Sequence, residues 1–228
     1  MTMSKALHRK QVYSFIAIFI VILLFWNTIA LKPLKMLVVF FHEISHGFAA
    51  LLTGGGIVDM NLDNQEGGYC KTRGGSRFVI LSAGYLGSLL WGGLILIGAA
   101  RTRLDRQIMR FLGVILLTMS LLYVRPMLGF GFFFGSFTAI GMLAMASFAS
   151  ERVNDISLRV IGLTSCLYAI LDIKSDVLDR SHINSDARML HNEVTPFIST
   201  QVWGLIWIGI ALLSTFFILR TATGKTTY

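Results

Sequence analysis

Apolar runs of about 20 residues, the length that crosses a hydrocarbon core of roughly 30 Å, recur along this chain and limit it more than any other feature. They occupy residues 12–31, 33–52, 78–100, 108–124, 128–150, 158–171 and 202–219. Two polar stretches interrupt them, at residues 54–77 and 174–196. Composition agrees with a chain dissolved in lipid. Apolar residues make up 54% of the 228 and charged residues only 14%, whereas a soluble domain carries roughly 25% charged residues. So many apolar residues exclude a disordered chain. Two cysteines exclude a disulfide-stapled scaffold.

The expected fold is therefore an all-α polytopic membrane protein with about six or seven transmembrane helices. It forms a single membrane domain over residues 1–228, with no repeat and no soluble domain. The first helix is expected over 12–31. Its basic preface (Lys5, Arg9, Lys10) resembles a signal peptide, but the apolar run is too long and no small-residue cleavage site precedes Lys32 and Pro33. Pro33 suits the first turn of the next helix, where a missing N–H costs nothing. That helix runs over 33–52 and stops at Thr53-Gly54-Gly55-Gly56. Glu151 to Asp155 read as a charged break before the sixth run.

The excess of 20 Lys+Arg over 12 Asp+Glu gives a net charge of +8. The bases are spread between apolar blocks, as flanks of membrane helices, so nucleic acid is not an expected partner. Seven crossings would divide Lys and Arg ten and ten between the two sides. The N-terminal cluster and the cluster Arg101 to Arg110 would fall on opposite sides if all of the first three helices cross, unless one is re-entrant.

The second helix contains His42-Glu43-Ile44-Ser45-His46. Histidines four apart project from one helical face, and two neutral imidazoles so placed can ligate one Zn²⁺. Glu43 is positioned to take a proton from water that the metal activates. These ionisable groups sit between Val38-Val39-Phe40-Phe41 and Phe48-Ala49-Ala50-Leu51-Leu52, where each needs a compensating partner. A bound metal is one; hydrogen bonding between helices or a transporter's water cavity is the other.

A third ligand must come from elsewhere. Asp172 is expected to supply it, because it ends an apolar helix at a depth matching the histidines. Asp176, four residues on, is the reserve; the alternative for both is a solvated helix end. Asp186 reads as a helix N-terminal residue with Ser185 as its cap. His182 and His191 lie in the same polar stretch, and His8 lies in the basic tail. Cys70 and Cys166 are remote alternatives as ligands.

Val58, Met60 and Leu62 alternate with Asp59, Asn61 and Asp63, the period of a strand. Asn64 to Gly68 can turn, and Tyr69 to Arg73 can return as a second strand. A small β-hairpin after the HExxH helix is expected. Val58, Met60 and Leu62 would then bind an extended substrate by strand addition; the alternative is a hairpin that only faces solvent. Gly84, Ser88 and Gly92 form a small-residue stripe expected to pack against the metal helix. Trp203 and Trp207 are expected as interface anchors of the last helix.

Taken together, the helix His42-Glu43-Ile44-Ser45-His46-Gly47 with Thr53-Gly54-Gly55 resembles the M50 membrane zinc metalloproteases, the site-2 proteases, and among them the M50B-like branch. Ala83-Gly84-Tyr85-Leu86-Gly87, Leu171-Asp172-Ile173-Lys174-Ser175-Asp176 and Ser185-Asp186-Ala187 leading to Pro196 and Trp203 also fit. The resemblance implies a zinc held by His42, His46 and a late aspartate, with Glu43 as general base. It implies hydrolysis of a membrane or membrane-proximal protein substrate within the lipid bilayer. Leu171-Asp172 departs from the site-2 pattern in lacking a following Gly and a preceding Asn-x-x-Pro. The competing functions are a catalytically inactive metal-binding scaffold (a pseudoprotease) and an ion transporter.

Overall fold

A computed structural model describes residues 2–179 and 185–224, with side chains from residue 12 onward except at 178 and 179. His182 lies outside the described residues and His8 outside the described side chains. The order of elements is α1 (Thr2–Phe25), α2 (Lys32–Leu52), β1 (Gly56–Leu62), β2 (Gly68–Arg73), α3 (Arg77–Arg101), α4 (Asp105–Tyr123), α5 (Phe130–Phe148), α6 (Glu151–Lys174), a π-helical turn (Ser175–Asp179), α7 (Asp186–Glu193) and α8 (Thr200–Thr223). Among the described residues six helices are long and apolar enough to span a bilayer: α2, α3, α4, α5, α6 extended to Val177, and α8.

The first run is shorter as a helix than its composition suggests. α1 stops at Phe25, where Thr28 donates both its amide (2.9 Å) and its hydroxyl (2.7 Å) to the Phe25 carbonyl. Its apolar part, Val12–Phe25, falls short of a spanning length. The expected break at Glu151 to Asp155 is helical instead. Ser150 caps α6 by accepting from Val153 N–H, Glu151 sits in the first turn where the helix dipole favours an anion, and Asp155 pairs with Arg159 at 2.6 Å one turn on. The charges neutralise one another, so α6 is ten residues longer than the expected run, 24 against 14.

α2 begins with Pro33 in its first turn and ends at Gly54, whose φ of +84° suits a glycine. Gly55 N–H then closes on the Ala50 carbonyl at 2.8 Å. α3 lies against both α2 and α6. The small-residue stripe serves both contacts. A Cβ on Gly92 would lie 2.8 Å from Cys166 Sγ and 2.9 Å from the Gly162 carbonyl of α6, so Gly92 packs there and not against α2. Gly87, one turn from Gly84, is pressed against Ser45 of α2.

Two larger apolar cores flank the HExxH helix and α7. One joins α2, α4, α5 and β1 around Phe40, Phe41, Ile44, Met60 and Leu116. The other joins α3, α6, α7 and α8 around Tyr85, Ile173, Leu190 and Trp207. Trp203 and Trp207 are buried in the second core and do not act as interface anchors. Trp203 donates to Thr195 Oγ1 at 2.8 Å and stacks edge-on against Phe78.

Arg106 donates to the Ala149 carbonyl (3.0 Å), and Arg101 to that of Gly224 (3.3 Å). The α3–α4 corner thus shares one end of the bundle with the ends of α5 and α8. Phe15 of α1 packs under the Arg159 guanidinium at 5.0 Å and against Ala100 and Ala222. The early part of α1 therefore lies at the same end as the arginine-rich corner.

The hairpin is antiparallel, with Met60 opposite Cys70 and Leu62 opposite Gly68, and an irregularity between Ile57 and Asp59. Met60 and Leu62 are 1% and 2% exposed and belong to the first core. The outer edge of β1 is occupied at Met60, which bridges Val124 in parallel and accepts from Arg125 N–H at 2.9 Å.

Candidate metal centre

His42, Glu43 and His46 lie on the buried side of α2, and His46 is 6% exposed. The imidazoles stack edge to face with centroids 4.8 Å apart, as four residues of helix require. His46 donates its Nδ1–H to the Ile80 carbonyl at 2.7 Å. That bond fixes the tautomer and leaves the Nε2 lone pair free to ligate.

The carboxylate beside these nitrogens belongs to Asp186. Its Oδ2 is 3.1 Å from His42 Nε2 and 3.3 Å from His46 Nε2. The three donor atoms lie within 4.8 Å of one another. Zinc–nitrogen and zinc–oxygen bonds of about 2.0–2.1 Å set neighbouring tetrahedral ligands about 3.3 Å apart. Both Asp186–histidine separations match that spacing, and two imidazole nitrogens with one carboxylate oxygen are a donor set that suits Zn²⁺. Gly84 keeps the space beneath them open: a Cβ there would collide with His42 Nε2 and lie 2.6 Å from Asp186 Oδ2.

Asp186 is the first residue of α7, capped by Ser185, whose hydroxyl accepts from Arg188 N–H. Ala187 and Leu190 bury the same side of this short helix in the second core. Arg77 clamps its far end, with Nε 2.6 Å and Nη2 3.2 Å from the two oxygens of Glu193. The Arg77 guanidinium holds the Glu193 carboxyl below its ordinary range. Burial pushes the Asp186 carboxyl up, but His46 and His42 outweigh it and hold that group below the usual carboxylate range.

Asp172 and Asp176, the expected third ligand and its reserve, line the same cavity without joining the triad. Asp176 lies on the π-helical turn, and its Oδ2 accepts from the Tyr85 hydroxyl at 2.9 Å. Tyr85 in turn stands edge-on to His42, with centroids 5.2 Å apart. Depth along the chain favoured Asp172, but a short helix folding back under α3 carries Asp186 to the histidines. The pattern Asp186, Ala187, Leu190, one face of an eight-residue helix, was the available signal. His191 is turned away, its Nδ1–H donating to the Ile198 carbonyl at 2.8 Å. Burial, aided by the charges of Glu43 and Asp59, pushes the Cys70 thiol up to about 12, and Cys70 is not among the converging donors. Cys166 Sγ packs at Gly92, on the α3–α6 contact.

The triad and Glu43 face a cavity of about 1210 Å³. Gly68, Tyr69, Cys70, Lys71 and Thr72, five consecutive residues of β2, line it. Consecutive lining of this kind exposes a strand edge and not one face of the sheet. Val58, Met60 and Leu62 do not line the cavity: Met60 and Leu62 are buried in the first core, and Val58 is exposed at the irregularity between Ile57 and Asp59.

The sequence model of the family described as Peptidase M50B-like matches residues 15–218. The chain belongs to the M50B-like peptidase family, and with its six apolar helices it is an integral, multi-pass membrane protein. No curated protein and no solved structure matches it.

Proposed function

We propose that this protein is an intramembrane zinc metallopeptidase that hydrolyses peptide bonds of membrane or membrane-proximal proteins. The observation that carries the reading is the convergence of His42, His46 and Asp186 beside Glu43 on one wall of a large cavity. Those three residues would hold the metal. Zinc bound there supplies a Lewis acid that polarises a carbonyl and acidifies water.

Glu43 supplies the base. It follows the first ligand, reaches into the cavity and has a carboxylate that is not one of the three converging donors. Its carboxylate takes the proton from the attacking water and returns it to the leaving amine. Ile80 holds the proton on His46 Nδ1, so that ligand stays in one tautomer throughout.

A membrane-embedded substrate must be extended before its peptide bond is exposed. The β2 edge in the cavity supports strand addition by such a segment. Asp172 and Asp176 belong to the wall the substrate meets and are assigned no ligand role.

The test is purified protein in detergent with its zinc content measured. Wild type should hold one zinc per chain and His46→Ala should hold none. A wild type free of zinc after expression in zinc-replete medium would overturn the reading.

A further inference from the structure

Lys35 stands on the same face of α2 as His42, seven residues and about two helical turns earlier. Lys35, Val39, His42, Glu43 and His46 all line the cavity, and their spacing is that of one helical face. The strip has an ammonium at one end, the metal triad at the other and an apolar residue between them.

The ammonium is unusually placed. Lys35 is 8% exposed in a helix apolar enough to span a bilayer, where a charge is costly unless a counter-charge meets it. Glu66 provides that charge, with its Oε2 2.7 Å from Lys35 Nζ. The Trp26 ring flanks the ammonium at 5.6 Å. Glu66 sits at the hairpin tip, and its φ of +67° lies in a region that residues with a Cβ seldom adopt. Asp63 folds the tip by accepting from the amides of Gln65 (2.7 Å) and Gly67 (3.0 Å). The acid that satisfies Lys35 thus comes from the hairpin tip and not from α2, and its side chain is 27% exposed while that of Lys35 is 10% exposed, so it meets the ammonium from the solvent-accessible side.

We propose that Lys35 and Trp26 form a subsite for a carboxylate of the substrate, and that Glu66 fills this subsite until substrate displaces it. The proposal rests on the peptidase reading and narrows its substrate class. Lys35 and His42 are about 10 Å apart along the helix axis. An extended chain covers that distance in about three residues. The favoured substrate is an extended apolar segment bearing Asp, Glu or a free C-terminal carboxylate about three residues from the cleaved bond. A Cβ on the neighbouring Gly68 would lie 2.9 Å from Glu43 Oε1, so the hairpin rests directly on that carboxylate.

The experiment uses the zinc-loaded full chain carrying Glu43→Gln, in detergent micelles. Fluorescent peptides of one apolar sequence carry a single Asp at successive positions, each with an Asn control. Binding should favour one Asp position over its Asn control by about tenfold, the scale of one charge-assisted hydrogen bond. The double variant Lys35→Glu with Glu66→Lys keeps the clasp but inverts the subsite. It should bind the matching Lys peptide in preference to the Asp peptide. Equal binding of Asp and Asn peptides at every position would overturn the proposal, as would a double variant that still prefers Asp. If the Asp preference appears but wild type leaves the peptides uncut, the subsite stands and the peptidase reading fails.

Discussion

Asp186 Oδ2 lies 3.1 Å from His42 Nε2, across 144 residues of sequence. No local element ties the two positions. The contact depends on α7 docking against α3 through Ala187, Leu190 and the Arg77–Glu193 pair. The metal centre is therefore as secure as that docking.

Asp186→Asn should lower zinc affinity by at least tenfold, because a carboxylate donor is replaced by a neutral amide. Asp172→Asn should leave zinc affinity within about twofold, since Asp172 is outside the triad. Competition with a fluorescent chelator measures both. The reverse ranking would return the third-ligand role to Asp172.

Glu43→Gln should retain zinc while peptide cleavage falls by about 10²- to 10⁴-fold, the usual contribution of a general base. Metal analysis and a cleavage assay on the same preparation separate the two effects. Joint loss of metal and activity would make Glu43 part of the donor set.

Gly84→Ala should abolish metal binding even though it adds one methyl group. The new Cβ collides with His42 Nε2 and crowds Asp186 Oδ2. Gly209→Ala, where nothing lies within 4 Å of the added carbon, is the matched control and should bind zinc as wild type does. A zinc-replete Gly84→Ala protein would show that the site opens more than this geometry allows.

Asp155→Asn should destabilise the bundle without touching the metal centre. It leaves Arg159, 9% exposed, without the carboxylate 2.6 Å away. Stranding a largely buried cation costs about 3 kcal/mol or somewhat less where water reaches it. The thermal midpoint in detergent should fall by several degrees, and zinc affinity should not change. An unaltered midpoint would show that Arg159 is held by its contact with Phe15 alone.

Much of this protein was legible in the one-dimensional pattern, because the physics involved is local. Apolar run length sets which segments cross lipid, and five of the six spanning helices lie within a few residues of those runs. The HExxH spacing sets two imidazoles and a carboxylate on one turn whatever surrounds them. The alternation around Met60 sets a strand, and Gly54 sets the end of α2 because its φ suits no other residue well.

What only the tertiary structure decided were relations between distant segments. The cavity presents β2 and not β1, because Val124 and Arg125 take the β1 edge and the core takes Met60 and Leu62. Asp186 reaches the histidines, in place of Asp172, because a short amphipathic helix buries Ala187 and Leu190 under α3. Periodicity reports which face of an element is apolar; it carries no information on which partner that face will find, and the third carboxylate is fixed by that partner.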